Sequence, residues 1–277
     1  MRVLLAAPPS PARLHNLVPL AWALRTAGHD VKIAGRTSFV DEILRTGCVA
    51  VDLGTSESAA LTEFAELWGP DVVVSSPGAP AYGGDTVRVL GPLDETGPGA
   101  FDTVPPSLRD ASDARPVRHV PYFGPVVVPE WLRRKARRDR VLLSLADATL
   151  AGPVFDAVAG LAAEVVWATE SAPAGVSMPP NVRLVDTAPP AALLPTCSAV
   201  VHDGDASLAL AAATHGVPQL SLTETAIGAR IAAVGAGLVG SADGVAELAA
   251  LSAAATALRD EIAALPAPRE LVGALTR

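Results

Sequence analysis

The stretch VLLAAPPSPARLHNLVPLAWALRTAGHDVKIA, residues 3–34, contains two short runs rich in apolar residues on either side of a longer segment whose single glycine, Gly28, stands near its end. The first run, Val3–Ala7, predicts a buried strand, and Leu14–Ala27 predicts a helix that ends at Gly28. The second run, Asp30–Ala34, predicts another strand. A strand, a helix and a strand in this order form a parallel pair, so the stretch predicts an α/β fold.

The same alternation continues through the first quarter of the chain. Helices are predicted at Ser38–Arg45 and Ala59–Leu67, and strands at Val49–Leu53 and Asp71–Val74. This winding is Rossmann-like, but no GxGxxG motif follows the first strand, which argues against NAD or FAD. The next segment, 76–115, is rich in loop-forming residues and predicts one strand, Thr86–Leu90. The crossover to that strand is barely long enough for parallel pairing, so a trimmed connection and an antiparallel strand both remain open.

A second alternating series follows a linker and predicts a second parallel sheet. We therefore expect a first domain at residues 1–125, a linker at 126–140 and a second domain at 141–277. Ligands of open α/β sheets bind at the carboxyl ends of the strands. Loops after Ala7, Val74, Leu145, Val185 and His202 are expected to line the site. The second series consists of strands Val141–Leu145, Val165–Ala168, Val182–Val185, Ala199–His202 and Gln219–Leu222, of helices Val154–Ala163, Ala191–Leu194 and Ser207–Thr214, and of further helices through Val245–Leu265.

Charge and composition exclude several classes of protein. The 277 residues carry a net charge of −8, which argues against a nucleic-acid partner because phosphate binding needs a basic face. No run of about 20 uncharged apolar residues predicts a membrane span. The two cysteines lie far apart, which fits a reducing cytoplasm. One basic run is predicted to be a solvated domain junction. Its members are Arg133, Arg134, Lys135, Arg137, Arg138 and Arg140.

Two stretches resemble glycosyltransferases of the GT-B fold that attach deoxysugars to polyketide antibiotics. They are VPLAWALRTAGHDVKIAG, Val18–Gly35, and ALLPTCSAVVHDGDASLALAAATHGVPQLSL, Ala192–Leu222, which is similar to the family's donor-binding signature. The linker VPYFGPVVVPEWLR, Val120–Arg133, is also similar. The resemblance implies a GT-B fold of two Rossmann-like domains with parallel sheets facing across a cleft. The N-terminal domain is trimmed between Ser75 and Val117 relative to such enzymes.

The resemblance implies inverting transfer of a sugar from a nucleotide diphosphate to an acceptor hydroxyl or aromatic carbon. Such enzymes place a histidine before the first helix as the base that activates the acceptor. Alignment on the Pro-Leu-Ala-Trp-Ala run puts Arg13 at that position, and an arginine cannot accept a proton at neutral pH. His15 lies two residues further on; it is either a substitute base in a shifted loop or an exposed residue of the first helical turn.

The resemblance also implies where the donor diphosphate binds. In the relatives a His-Gly-Gly segment opens a helix whose backbone N–H groups and dipole hold the phosphates. Here Asp203 and Asp205 stand in that segment, and each charge pair with a diphosphate costs about 1 kcal/mol at 4 Å in water. Each aspartate is either a helix N-cap or an occupant of the phosphate's place, and Asp203 is also a candidate catalytic residue. The candidate donor-site residues are Ser144, Asp147, Thr149, His202, Gly204, Asp205, Ser207 and Glu224.

Three functions remain open at this point. The first is a glycosyltransferase with an unusual donor site, which uses a nucleotide diphosphate sugar and a polyketide-like acceptor. The second is a donor-free cyclase, dehydratase or isomerase in which Asp147, Asp203 and Asp205 serve as acid and base. The third is a non-catalytic partner of a tailoring enzyme. The resemblance favours the first, without a cofactor and without a bound metal. We expect a cytoplasmic protein with no membrane partner, and a homodimer is possible.

Overall fold

The computed structural model describes residues 1–94, 100–110, 113–133, 136–169, 177–185 and 189–275. The chain folds into two compact units. Residues 1–125 and 264–277 form unit 1, and residues 126–263 form unit 2.

Each unit contains one sheet and its flanking helices. The strands are β1 (Arg2–Ala6), β2 (Asp30–Gly35), β3 (Val49–Asp52), β4 (Val72–Ser75), β5 (Val87–Leu90), β6 (Ala100–Asp102), β7 (Arg115–Pro116), β8 (Arg140–Ser144), β9 (Glu164–Ala168), β10 (Val182–Val185), β11 (Ala199–His202), β12 (Gln219–Ser221) and β13 (Gly237–Val239). The α-helices are α1 (Pro11–Thr26), α2 (Val40–Arg45), α3 (Glu57–Trp68), α4 (Ala151–Val158), α5 (Pro190–Leu193), α6 (Ala206–Thr214), α7 (Ala226–Ala233), α8 (Ser252–Ala264) and α9 (Pro268–Leu275).

Unit 1 is a parallel sheet in the order β3-β2-β1-β4-β5-β6-β7. Successive side chains of a strand point to opposite faces, and β1 follows this rule. Val3 and Leu5 belong to the apolar cluster formed with α1, whereas Leu4 packs in a second cluster with Leu61 of α3. Both faces of the sheet are therefore covered, as the near-continuous apolar composition of β1 predicts.

The segment 76–115 contains more regular structure than the sequence indicates. Strand β5 pairs parallel with β4, so the antiparallel alternative is wrong. Residues 76–86 make this crossover without a helix. Strands β6 and β7 continue the sheet, although the sequence pattern predicted neither. Strands of three and two residues are too short to show an apolar alternation.

Unit 2 is a second parallel sheet, in the order β10-β9-β8-β11-β12-β13. Val141 and Leu143 of β8 share its main apolar cluster with Trp167 of β9 and Phe155 of α4. The Phe155 and Trp167 rings meet edge to face, with their centroids 5.3 Å apart. The sequence did not predict β13, which pairs with β12.

Two findings differ from the expected organisation. Residues 264–277 belong to unit 1, whereas the sequence-based division places them in the second domain. Leu271 and Leu275 of α9 are buried in the cluster that contains α1, and Arg118 N–H donates to Pro266 O at 2.9 Å. Arg140 is not a solvated member of the basic run, because it is 3% exposed and paired with Glu164. Arg134 and Lys135 lie outside the described residues.

Among the described residues, no helix combines the length and the apolar character that crossing a membrane requires.

Candidate functional site

The carboxyl ends of β8 and β11 bring two predicted donor-site loops together. The strands are parallel neighbours, with Ser144 opposite His202, so the loops that follow them meet at one edge of the sheet. There Asp203 Oδ2 accepts hydrogen bonds from the backbone N–H of Ala146 at 2.5 Å and of Asp147 at 3.0 Å. A carboxylate with two converging N–H donors is an occupied anion site.

The second aspartate occupies the start of α6. Asp205 Oδ1 accepts from Ser207 N–H at 2.8 Å and from Leu208 N–H at 3.1 Å, which is an N-cap. These N–H groups belong to the first turn of α6, where the helix dipole favours an anion. Two aspartate side chains therefore accept hydrogen bonds from four backbone N–H groups at this edge, two at Asp203 and two at Asp205.

Asp147 and Thr149 form a local turn on the first of these loops. Asp147 Oδ1 accepts from the Thr149 hydroxyl at 2.6 Å and from the Thr149 N–H at 2.9 Å. The hydrogen bonds from Thr149 lower the pKa of the Asp147 carboxyl, which therefore stays ionised at neutral pH. A carboxylate that is ionised at neutral pH has no proton to donate, so Asp147 does not fit the general-acid role that donor-free chemistry would need.

His202 lies inside unit 2 and not on the surface of the site. Its side chain is fully buried. Nε2 donates to Gln219 Oε1 at 3.0 Å, and Nδ1 accepts from Gly204 N–H at 3.1 Å. Gln219 Nε2 donates in turn to Ala209 O at 3.0 Å. Both ring nitrogens are in use, so the predicted ligand-contacting role of His202 does not fit this structure; the residue ties β11 to β12 and α6.

This network predicts an acid-sensitive fold. Burial lowers the pKa of His202 below its ordinary value of 6.5, so the neutral ring is the folded form. Its contribution to stability is complete above that ordinary pKa and is lost as the pH falls through the lower folded pKa. His202→Phe leaves Gly204 N–H and Gln219 Oε1 unpaired, which is expected to lower the free energy of unfolding by about 1–3 kcal/mol at neutral pH.

Urea denaturation of the two proteins at about pH 7 and about pH 5 checks this expectation. The variant should lose less stability on acidification than the native chain, because it lacks the titrating ring. His29→Phe is the matched control, since His29 lies outside the network. Equal pH dependence in the native chain and in His202→Phe would refute the role given to His202.

The remaining donor-site candidates surround the same edge. Gly204 has a φ of +102°, and a Cβ there would lie 2.9 Å from Thr225 Cγ2, so the loops after β11 and β12 approach closely and glycine is required. Glu224 is exposed on the second of these loops, and Ser144 is half-buried at the end of β8. Ser207 lies in the first turn of α6.

In unit 1, Arg13 forms an ion pair that the sequence did not predict. Its Nε and Nη2 atoms donate to Asp94 Oδ1 at 2.9 and 2.7 Å, and Asp94 Oδ2 accepts from Gly91 N–H at 2.9 Å. Asp94 is 7% exposed. Arg13 is thus a paired cation beside the carboxyl end of β5 and cannot act as a base. No local pattern could have shown this contact, because Asp94 lies far away in the sequence.

His15 is placed differently from Arg13 on the same helix. Its Nε2 lies 3.3 Å from Glu42 Oε1, and its ring meets Tyr122 edge to face at 5.0 Å. Burial lowers the pKa of His15, and the hydrogen bond to Glu42 opposes that shift. The lowered pKa favours the neutral ring at neutral pH, and since a carboxylate only accepts, Nε2 of that neutral ring carries the proton and Nδ1 keeps a lone pair. His15 is therefore a neutral, oriented imidazole and not a freely exposed residue of the first turn.

The structure thus assembles the predicted residues in two places. One group lies on neighbouring loops or strand ends of unit 2, and His202 is buried at the end of β11 beside it. Its members are Ser144, Asp147, Thr149, Asp203, Gly204, Asp205, Ser207 and Glu224. Arg13 and His15 lie on α1 of unit 1. Asp94, Glu42 and Tyr122 complete the second group and were not predicted.

Comparison with known protein families gives two matches. Residues 153–277 match the family described as erythromycin biosynthesis protein CIII-like, C-terminal domain. Residues 86–146 match the corresponding N-terminal domain.

Curated relatives include the TDP-daunosamine transferase DnrS of Streptomyces peucetius, which is 30% identical over 80% of this chain and 80% of that protein. The aclacinomycin-T 2-deoxy-L-fucose transferase of Streptomyces galilaeus is 29% identical over 79% of each chain.

Solved structures with the same fold include two glycosyltransferases. SnogD from Streptomyces nogalater superposes with a TM-score of 0.87 and 26% identity, over 100% of this chain and 98% of that one. VinC, solved in complex with DTDP, gives a TM-score of 0.86 and 27% identity, over 100% and 99%.

Proposed function

This chain belongs to the erythromycin CIII-like family of tailoring glycosyltransferases and has its GT-B fold, and on that premise we propose that it transfers a deoxysugar from a TDP-sugar to a polyketide aglycone. The names of relatives support both substrate classes. DnrS is named a TDP-daunosamine transferase and VinC was solved with DTDP, which supports the donor, and the aclacinomycin-T 2-deoxy-L-fucose transferase supports the acceptor. The sequence-based resemblance and fold class are thereby confirmed. The identity of the sugar and of the aglycone is part of the proposal.

One observation carries the proposal: converging backbone N–H groups at the carboxyl edge of the unit 2 sheet. The N–H groups of Ala146, Asp147, Ser207 and Leu208 already bind carboxylate oxygens, which resemble phosphate oxygens in charge and in accepting geometry. A diphosphate would bind the Ala146 and Asp147 N–H groups by displacing Asp203, while Asp205 keeps those of Ser207 and Leu208. The donor site is therefore expected to be present but weakened, with the thymidine and the sugar supplying more of the affinity than the phosphates.

Acceptor activation is assigned to His15. With its Nε2–H directed at Glu42, the free Nδ1 lone pair takes the proton of the acceptor hydroxyl as the hydroxyl oxygen attacks the anomeric carbon and TDP leaves. The Glu42 carboxylate then stabilises the imidazolium. A lowered pKa keeps His15 neutral and able to accept a proton at neutral pH.

His15→Gln is expected to reduce the turnover number by about 10²- to 10⁴-fold, because a positioned base is lost. Glu42→Gln should reduce it less and leave the KM for the TDP-sugar unchanged, because the imidazole stays in place without its charged partner. The measurement is TDP release from TDP-deoxysugars in the presence of anthracyclinone and macrolactone aglycones. His29→Gln is the control. Native-like turnover in His15→Gln would remove His15 from the mechanism, whereas absence of turnover in the native chain with every donor would contradict the proposed function itself.

Two further expectations accompany this proposal. A homodimer is tested by light scattering during gel filtration, and a cytoplasmic location by fractionation of the producing cell. Neither affects the assignment of residues above.

A further inference from the structure

A basic pocket of about 550 Å³ opens at the amino-terminal edge of the unit 2 sheet. It lies beside the starts of β8, β9 and β10, at the end of these strands opposite to the candidate donor site. Since ligands of parallel sheets bind at the carboxyl ends, the proposed reaction does not use this edge. The side chains that define the pocket are Trp131, Arg137, Arg138, Arg140, Asn181 and Arg183.

The charges of this pocket are not balanced. Glu164 forms an ion pair with buried Arg140, whose Nη2 lies 3.0 Å from Glu164 Oε2. Arg183 is more weakly paired, because its Nη1 lies 4.0 Å from Glu164 Oε1. Arg137 and Arg138 are exposed, and no carboxylate in the described part of the chain pairs with them. A positive pocket on a chain of net charge −8 attracts an anionic group.

The guanidinium groups are held in place by an aromatic ring. Arg183 Cζ lies 4.4 Å from the centre of the Trp131 ring, and Arg140 Cζ lies 5.3 Å from it. Stacking on tryptophan reduces the entropy that an arginine loses when it binds a carboxylate. Tryptophan and arginine are also the residues most enriched among those that dominate protein interfaces.

The edge strand β10 beside the pocket offers hydrogen-bonding groups to a peptide backbone. Asn181 uses its Nδ2 to donate to Val158 O at 2.8 Å, and its Oδ1 has no partner among the described residues. Strand β10 is the edge of the sheet and pairs on one side with β9. Asn181 O accepts from Val165 N–H of β9, and Val185 O accepts from the N–H of Thr169, which follows β9, so the intervening Leu184 directs its N–H and C=O toward the outer edge.

We propose that this pocket binds an acidic, extended segment of a partner protein, which adds to the edge of β10 and places its carboxylates on Arg137, Arg138 and Arg183. A free phosphate fits the charge but supplies no N–H donor for Leu184 O, whereas a peptide strand supplies a donor for Leu184 O and an acceptor for Leu184 N–H. This interaction is independent of sugar transfer.

Fluorescence anisotropy of the full chain tests the proposal, with a fluorescein-labelled peptide of alternating glutamate and valine as the probe. The peptide should bind, and raising the ionic strength from about 0.01 M to about 1 M should weaken binding strongly, since the Debye length falls from about 30 Å to about 3 Å. A lysine–valine peptide is the control ligand and should not bind.

The matched variants are Arg138→Glu in the pocket and Arg259→Glu on exposed α8, which change the net charge equally. Arg138→Glu should weaken binding about tenfold, and Arg137→Glu/Arg138→Glu should abolish it; Arg259→Glu should have less than a twofold effect. Equal losses in Arg138→Glu and Arg259→Glu would overturn the proposal. So would inorganic phosphate displacing the peptide at concentrations where added chloride of equal ionic strength does not, because the site would then be specific for small anions. The far-ultraviolet circular dichroism spectrum serves as the readout of folding and should be the same in all these variants.

Discussion

Asp203→Asn is expected to bind TDP about tenfold more tightly than the native chain. Asparagine keeps an oxygen that can accept from Ala146 and Asp147 N–H, so the loop geometry is preserved while one negative charge is removed. The repulsion between one carboxylate and one phosphate charge amounts to about 1 kcal/mol at 4 Å in water and more in a shielded site, and about 1.4 kcal/mol corresponds to a factor of ten. Calorimetric titration with TDP measures the difference.

Asp203→Ser distinguishes the effect of the Asp203 negative charge from the effect of the hydrogen bonds by which its side chain occupies the two N–H groups. The serine side chain is too short to bridge to the loop after β8, so the two N–H groups become available to the diphosphate in addition to the loss of charge. We expect affinity for TDP to rise further than in Asp203→Asn. Asp156→Asn, an exposed site on α4 in the same unit, is the control for a general change of net charge. If Asp203→Asn and Asp156→Asn bind TDP equally well, Asp203 does not obstruct the donor site.

Arg109→Leu is expected to lower the free energy of unfolding of unit 1 by about 3–5 kcal/mol, which is the usual cost of leaving a buried charge without its partner. Arg109 Nε donates to Asp102 Oδ2 at 2.8 Å, and the Asp102 side chain is only 4% exposed. The same guanidinium donates to Asp94 O at 2.6 Å and to Gly91 O at 2.7 Å. One side chain thus holds the loops that follow β5 and β6, and it supports the Asp94 partner of Arg13.

Hydrogen–deuterium exchange followed by mass spectrometry shows which unit loses stability, because the two units need not unfold together. Peptides from β5 and β6 should exchange faster in Arg109→Leu, while those from β8 and β11 should not change. Arg109→Lys, which keeps the charge but not the fork of donors, should be intermediate. The control is Arg36→Leu, whose partner Glu57 forms a surface pair in which Arg36 is 46% exposed, worth about 0–1 kcal/mol. Similar effects of Arg109→Leu and Arg36→Leu would contradict the buried-pair argument.

The repeating strand and helix order of both units could be predicted from the sequence, because strands buried on both faces are nearly continuous apolar runs. The elements that were missed lack that property. Strands β6, β7 and β13 have two or three residues each, and backbone pairing with a longer neighbour defines them. Helix α9 was not predicted, and its apolar stripe does not show on which sheet it packs.

In the candidate site, features that depend on sequence neighbours could be predicted, and features that depend on residues far apart in the chain could not. Asp205 as an N-cap and the crowding of charge near α6 follow from neighbours in the sequence. The interior position of His202 depends on Gln219, and the orientation of His15 depends on Glu42. A histidine that ends an apolar strand has the same local pattern whether it faces a ligand or a buried glutamine. Such pairs form only when the fold brings together residues that are far apart in the chain.

The burial of Leu271 and Leu275 in unit 1 has a consequence for how the protein is made. A ribosome delivers residues 126–263 as one uninterrupted segment, so unit 2 has all of its sheet before α9 is made. Unit 1 is begun earlier but is completed only by α9, and the surface of α1 that α9 covers stays open to water and to chaperones while unit 2 is synthesised. A nascent chain stalled before residue 264 should therefore contain a protease-resistant unit 2 and a protease-sensitive unit 1.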